Sequence, residues 1–83
     1  MPLMRLQNAR KKTMGSKQTL KAIQRRQARV VYLALDAEKH ILAPLRQACV
    51  NNDLPIIEVD SMQVLGKTCG IDVGCAAVAI IED

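Results

Sequence analysis

The chain has 83 residues, 49% of them hydrophobic, with a net charge of +4, which makes one domain able to bury a core without staples and argues against a disordered basic arm. No apolar run nears the ~20 residues of a membrane span, and with one Tyr and neither Phe nor Trp, recognition by stacking bases on aromatic rings is nearly excluded. The first 35 residues hold nine Lys or Arg and no acid, while all eight acidic residues lie from Asp36 onward beside three basic ones, a front that attracts polyanions and releases their counterions.

Leu3, Leu6 and Ala9 recur at helical spacing in an Arg- and Lys-rich background, so residues 3 to 12 read as a short amphipathic helix. Gly15 interrupts it, and Ser16 is a good N-cap for a second helix through about Arg26, with Leu20, Ile23 and Gln27 on successive turns. Lys17, Gln18 and Lys21 fall near the positive end of that helix, where each exposed cation opposes the dipole by a few tenths to ~1 kcal/mol. Local stability does not explain cations there; an anionic ligand does.

Residues 30 to 35 form a continuous apolar run, a strand buried on both faces. A polar connection over residues 36 to 40 leads to a helix over 42 to 52, with Pro44 in its first turn and Leu45, Ala48 and Cys49 inward. Ile56 to Val59 reads as a short strand, Ser61 caps another helix, Cys69 ends it with Gly70 at C′, and residues 75 to 81 close the chain as a second buried strand. Buried strands alternating with helices imply crossovers and helices on both sides of a small mixed sheet, an α/β fold of the three-layer α/β/α sandwich kind spanning residues 1 to 83 as one domain.

Motifs for catalysis are thin. Gly66-Lys67-Thr68 spells the end of a P-loop, but Ser61 stands where the first glycine belongs and the segment between reads as helix. His40 is the only histidine and has no ligand-spaced partner for a zinc site, and no spacing singles out a catalytic pair from Asp36, Glu38, Glu58, Asp60 and Asp72. Cys49, Cys69 and Cys75 form no C-x-x-C pair and read as reduced core thiols of a cytoplasmic protein, with a redox-sensitive Cys69–Cys75 pair as the alternative. Neither enzyme activity nor any cofactor or metal is expected.

Two segments carry more information. In Gly15-Ser16-Lys17-Gln18-Thr19-Leu20-Lys21-Ala22, a glycine turn delivers a helix start whose Lys and Gln side chains can donate to base edges and whose free N–H groups suit a phosphate. Arg25, one turn beyond Lys21, can reach a second phosphate. In Leu65-Gly66-Lys67-Thr68-Cys69-Gly70-Ile71-Asp72-Val73-Gly74, Ile71 and Val73 stand between glycines in a loop. They either fold inward as anchors or form a small apolar surface for an unstacked nucleotide.

With the strand ending at Asp36, Ala43-Pro44-Leu45, Leu54-Pro55-Ile56 and the final Ala/Val/Ile strand, these segments resemble the kink-turn RNA-binding ribosomal protein family of the L-seven-Ae type, most of all its short bacterial members. The likeness covers nearly the whole chain. It implies a non-enzymatic protein that binds RNA helices bent sharply by a bulge beside tandem sheared G·A pairs, in association with the ribosome or another structured RNA. On that resemblance Gly15, Lys17, Gln18 and Lys21 meet the G·A pairs and adjoining backbone, while Ile71, Asp72 and Val73 pack on an extruded base. Lys17-Gln18 departs from the Asn-Glu typical of archaeal and eukaryotic members and is similar to the bacterial ones. The expected state is a monomer without membrane contact. The alternatives are a permanent structural component of the ribosome, or a protein-interaction module whose basic front is only solubilising.

Overall fold

The computed structural model describes residues 2–83, and they form a four-stranded mixed sheet between two pairs of helices. In chain order the elements are α1 (Pro2–Asn8), β1 (Lys11–Met14), α2 (Ser16–Gln24), β2 (Val30–Ala34), α3 (Lys39–Asn51), β3 (Ile56–Val59), α4 (Met62–Thr68) and β4 (Ala77–Glu82). The strands lie in the order β1-β4-β2-β3, with β2 parallel to β3 and β4 antiparallel to both β1 and β2.

The pleat of β2 explains why all five of its residues are buried. Side chains alternate across a strand, so Val31 and Leu33 join Ala22 and Ile23 of α2 and Leu42, Leu45 and Cys49 of α3 in one core layer. Val30, Tyr32 and Ala34 turn the other way, onto Leu6 of α1 and Leu65 of α4. In β4, Ala77 and Ala79 face the first layer while Val78 and Ile80 face the second. The expected α/β/α sandwich is thus the observed fold.

Several boundaries differ from the sequence-based expectation. The helix expected over residues 3 to 12 ends at Asn8, and Lys11 and Lys12 belong instead to the edge strand β1, whose polar residues are held by the backbone ladder to β4. Gly15 rather than Ser16 is the N-cap of α2, which ends at Gln24 and leaves Gln27 exposed. Leu35 falls outside β2 and is 47% exposed. The third helix begins at Lys39, so Pro44 sits inside it rather than in the first turn, where its missing N–H forgoes the bond to the His40 carbonyl.

Helices α2, α3 and α4 end alike. The Gln27, Leu54 and Ile71 N–H groups reach back to the carbonyls of Ala22, Cys49 and Gly66, and those of Arg26, Asp53 and Gly70 to Ile23, Val50 and Lys67. These paired bonds define the Schellman motif, whose C′ residue takes a left-handed conformation that favours glycine. Only α4 has one; Arg26 and Asp53 hold φ of 57° and 54°. Replacing Arg26 by Gly should therefore raise stability by a few tenths to ~1 kcal/mol, or several degrees in thermal midpoint. Asp53→Gly should gain less, because Asp tolerates this region better than Arg. A lower midpoint for Arg26→Gly would contradict this account of the caps.

Candidate nucleic-acid interface

Strands β1, β2 and β3 all run opposite to β4, so their carboxyl ends share one edge of the sheet with the start of β4. Helices α2, α3 and α4 begin at that edge, directing the positive ends of three helix dipoles to it. Ligands of open α/β sheets bind outside the carboxyl ends of strands for the same topological reason.

Gly15 makes the turn into α2 with φ 102° and ψ 154°, a backbone conformation open essentially to glycine. Its N–H donates to the Ala77 carbonyl at 2.9 Å and its carbonyl accepts the first helical bond, from Thr19 N–H, at 3.0 Å. Thr19, Ala22 and Ile23 form the buried face of α2, which leaves Lys17, Gln18, Lys21 and Arg25 exposed. The fully buried Thr19 hydroxyl is hydrogen-bonded to Thr13 Oγ1 at 2.9 Å, and Thr13 Oγ1 accepts the Ala79 N–H at 3.1 Å. A buried hydroxyl without a partner is costly, so this bridge fixes how α2 sits against β1.

The segment from Cys69 to Ala76 is the second part of the edge. Ile71 is half-buried against the α1/α4 core layer, Asp72 is exposed, and Val73 is 68% exposed. The loop thus divides between the two expectations: Ile71 is an anchor, and Val73 is an apolar side chain offered to solvent. Gly66 lies so close beneath the loop that a Cβ there would land on the Val73 carbonyl oxygen, and a Cβ on Gly74 would come within 3.0 Å of the Met62 Cβ. The Ile71 N–H to Gly66 carbonyl bond and the Cys75 N–H to Met62 carbonyl bond, both 3.1 Å, tie the loop to α4 at its two ends.

Helix α4 is held in turn at its own start. Ser61 Oγ accepts the Val64 N–H at 3.1 Å, and Asp36 Oδ1, from the turn after β2, accepts the Met62 N–H at 2.8 Å. Asp36 therefore has a structural task that no local spacing reveals: a carboxylate from one loop caps a helix 26 residues away. Gly66, Lys67 and Thr68 lie inside α4, with Thr68 Oγ1 donating to the Val64 carbonyl, so they form no phosphate-binding nest.

Cys75, two residues after Val73, lies against the Gly15 N–H; burial pushes its thiol up and that N–H partly offsets the shift. The structure thereby brings together the glycine turn, the start of α2 and the exposed loop. Arg25 is not part of this cluster, because as the C-cap of α2 it stands about 12 Å along the helix axis from Lys17.

The basic front also divides. Arg5 Nε donates to Asp83 Oδ1 at 2.8 Å and Arg29 Nη1 to Oδ2 at 3.2 Å, which holds the Asp83 carboxyl below its ordinary range. Lys12 Nζ donates to the Leu6 carbonyl near the end of α1. Lys11, Lys17, Lys21 and Arg25 enter no ion pair among the described residues.

Other polar groups show little organisation for chemistry. His40 is exposed, with Nδ1 3.4 Å from Glu38 Oε2, and no three of His, Cys, Asp and Glu are grouped to hold a metal among the described residues. All three cysteines are free thiols pushed up by burial, the state in which thiolate chemistry is disfavoured. No described helix is long and apolar enough to cross a membrane.

Comparison with known proteins finds relatives that are named RNA-binding proteins. Over 69 residues the chain is 44% identical to an RNA-binding protein of Caldanaerobacter subterraneus, covering 83% of this chain and 84% of that one. Over 66 residues it is 47% identical to an RNA-binding protein of Halalkalibacterium halodurans, covering 80% of each. Among solved structures, the Giardia lamblia 15.5kD RNA binding protein superposes with a TM-score of 0.84 at 26% identity, covering 98% of this chain and 69% of that one. A family model matches residues 2–83, nearly the full chain, and the protein belongs to the ribosomal protein L7Ae/L30e/S12e/Gadd45 family.

Proposed function

We propose that this protein binds RNA helices bent sharply at a kink-turn and holds them bent, in association with the ribosome or another structured RNA. The observation that carries the reading is the juxtaposition of an acid-free helix start with an exposed aliphatic loop at one edge of the sheet, in a chain whose relatives are named RNA-binding proteins. Lys17 and Gln18 supply a charged donor and an amide at the first turn of α2, and Lys21 follows one turn behind. All three can address base edges. The unsatisfied N–H groups of that first turn and its dipole suit a phosphate.

Val73 and the half-buried Ile71 provide an aliphatic surface for a base that has left the stack, with Asp72 as an acceptor for its amino edge. A straight duplex offers no such base. An RNA that samples bent and extended forms is therefore drawn to the bent one by differential affinity. The chemistry needs no cofactor.

Val73→Asp tests the loop directly. It should weaken RNA binding by placing a carboxylate at the base surface. The thermal midpoint should stay where it is, because exposed substitutions usually stay within ~0.5 kcal/mol. A large loss of stability would instead place Val73 in the core. Sequencing of RNA crosslinked to the protein in cells should return reads concentrated on sharply bent, bulged helices. Reads spread without regard to such sites would overturn the proposal, and salt-resistant cofractionation with large subunits would identify the ribosome as the partner.

A further inference from the structure

Alongside the edge just described, a groove runs between α2 and β1, lined by Lys11 and Thr13 on the strand side and by Gln18, Lys21 and Arg25 on the helix side, with Ala22 and Ile81 among its remaining walls. It has no carboxylate in its lining. Glu82 pairs with Lys11 in the β1–β4 register, yet it does not line the groove and forms no ion pair with Lys11. Four cations line this channel; Lys12 turns its ammonium away to the Leu6 carbonyl, and Lys11, Lys21 and Arg25 enter no ion pair among the described residues. Arg5 and Arg29 are differently placed, because both hold Asp83.

From this we infer that the groove is a track for the phosphate backbone of one strand of a helix flanking the bend, so that the protein grips that helix lengthwise as well as the bend itself. The inference rests on the proposed function, because Gln18 and Lys21 belong to both surfaces and make them continuous. Gln18 to Arg25 spans about 10 Å by the helix rise, long enough to meet more than one phosphate of a single strand. Lys11 reaches into the track from the opposite wall, so cations flank the strand from both sides. An edge strand made of Lys-Lys-Thr-Met fits this use: its ladder holds it in the sheet while the exposed Lys11 side chain remains available.

The test is the salt dependence of binding to a kink-turn RNA with two long flanking helices and to versions with one or the other helix trimmed to the pairs beside the bend. Lys11→Gln should make the slope of log affinity on log salt shallower by about one on the long RNA, and Lys11→Gln with Arg25→Gln by about two. Trimming the gripped helix should make the wild-type slope shallower and abolish the difference between wild type and Lys11→Gln; trimming the other helix should do neither. Lys67→Gln, an exposed cation on α4, should leave the slope unchanged. The groove assignment falls if Lys11→Gln keeps the wild-type slope on the long RNA, if it loses the same amount on both trimmed RNAs, or if Lys67→Gln matches it. Thermal midpoints equal to wild type establish that the exposed Lys11 acts on binding rather than folding. A wild type that binds straight and bent RNA equally well removes the kink-turn reading but not the groove, which is then judged by the same Lys11→Gln comparison on long and short straight duplexes. No binding to any RNA removes both.

Discussion

Replacing Gly66 by Ala should destabilise the protein by ~1–3 kcal/mol and abolish most of its RNA binding, although residue 66 is buried inside α4 and touches no ligand. The new Cβ would meet the Val73 carbonyl, a main-chain atom that cannot swing aside as a side chain would. Relief requires the segment from Ile71 to Gly74 to move off α4, which strains the Ile71 N–H to Gly66 carbonyl and Cys75 N–H to Met62 carbonyl bonds that hold it. Val73 then leaves its place against α4. In a domain of this size each kcal/mol lowers the thermal midpoint by about 4–8 °C, so the structural part is easily measured by thermal unfolding and the functional part by RNA titration. Gly70→Ala separates the two effects: open space surrounds Gly70, but φ is +81°, so it should lose ~1–2 kcal/mol to backbone strain while leaving Val73 against α4. Wild-type stability and binding in Gly66→Ala would show that the loop is not packed as described.

The double substitution Lys17→Ala with Lys21→Ala should leave stability near wild type and weaken binding to a kink-turn RNA by roughly 1–3 kcal/mol for each side chain that reaches a base edge. Both residues are exposed and outside the Thr19, Ala22 and Ile23 face that packs α2, so the fold gives up little. Lys17 also lies at the positive end of the helix dipole, and its removal should if anything stabilise α2 slightly. The salt slope should become shallower by about two, because two cations near the phosphates are gone. Weaker binding with an unchanged slope would mean that neither cation lies near the backbone, and unchanged binding would remove α2 from the interface.

Much of this architecture can be read from the chain, and the parts that cannot share a physical reason. The limits of β3, the Ser61 cap and the C′ glycine at residue 70 follow from local chemistry: a four-residue segment with three β-branched residues, a hydroxyl before a helix, and a left-handed turn. Strand β1 escapes because an edge strand is specified by its neighbour's ladder, and Lys-Lys-Thr-Met has no apolar alternation to announce it. The Thr13–Thr19 bridge and the Asp36 cap of α4 join residues that only the folded topology brings together. Pro44 suggests a helix start, yet α3 tolerates it mid-helix, where the covering contacts of Leu42, Leu45 and Cys49 outweigh one missing hydrogen bond.

For the candidate site, the chain identifies the side chains and the structure supplies their grouping. The start of α2 and the loop before β4 share one edge of the sheet because β1 and β4 pair antiparallel and put Gly15 against Cys75. Ile71 and Val73 look equivalent in sequence, and only the Schellman turn after α4 decides that the first points inward and the second out. Arg25 belongs with the groove rather than the edge. Asp83 claims Arg5 and Arg29, which leaves Lys11, Lys21 and Arg25 as the unpaired cations of the α2–β1 groove among the described residues.

Selective stabilisation of a bent RNA is tested by measuring affinity and shape together. A kink-turn RNA and a straight duplex of equal length and base composition, each labelled at both ends with a fluorescence donor and acceptor, are titrated with the protein at one fixed salt concentration. Binding to the kink-turn RNA should be at least tenfold tighter, about 1.4 kcal/mol, with its ends drawn together as protein is added and the ends of the straight duplex unmoved. Equal affinity for the two RNAs, or binding to the kink-turn RNA without any approach of its ends, would contradict selective stabilisation of the bent form.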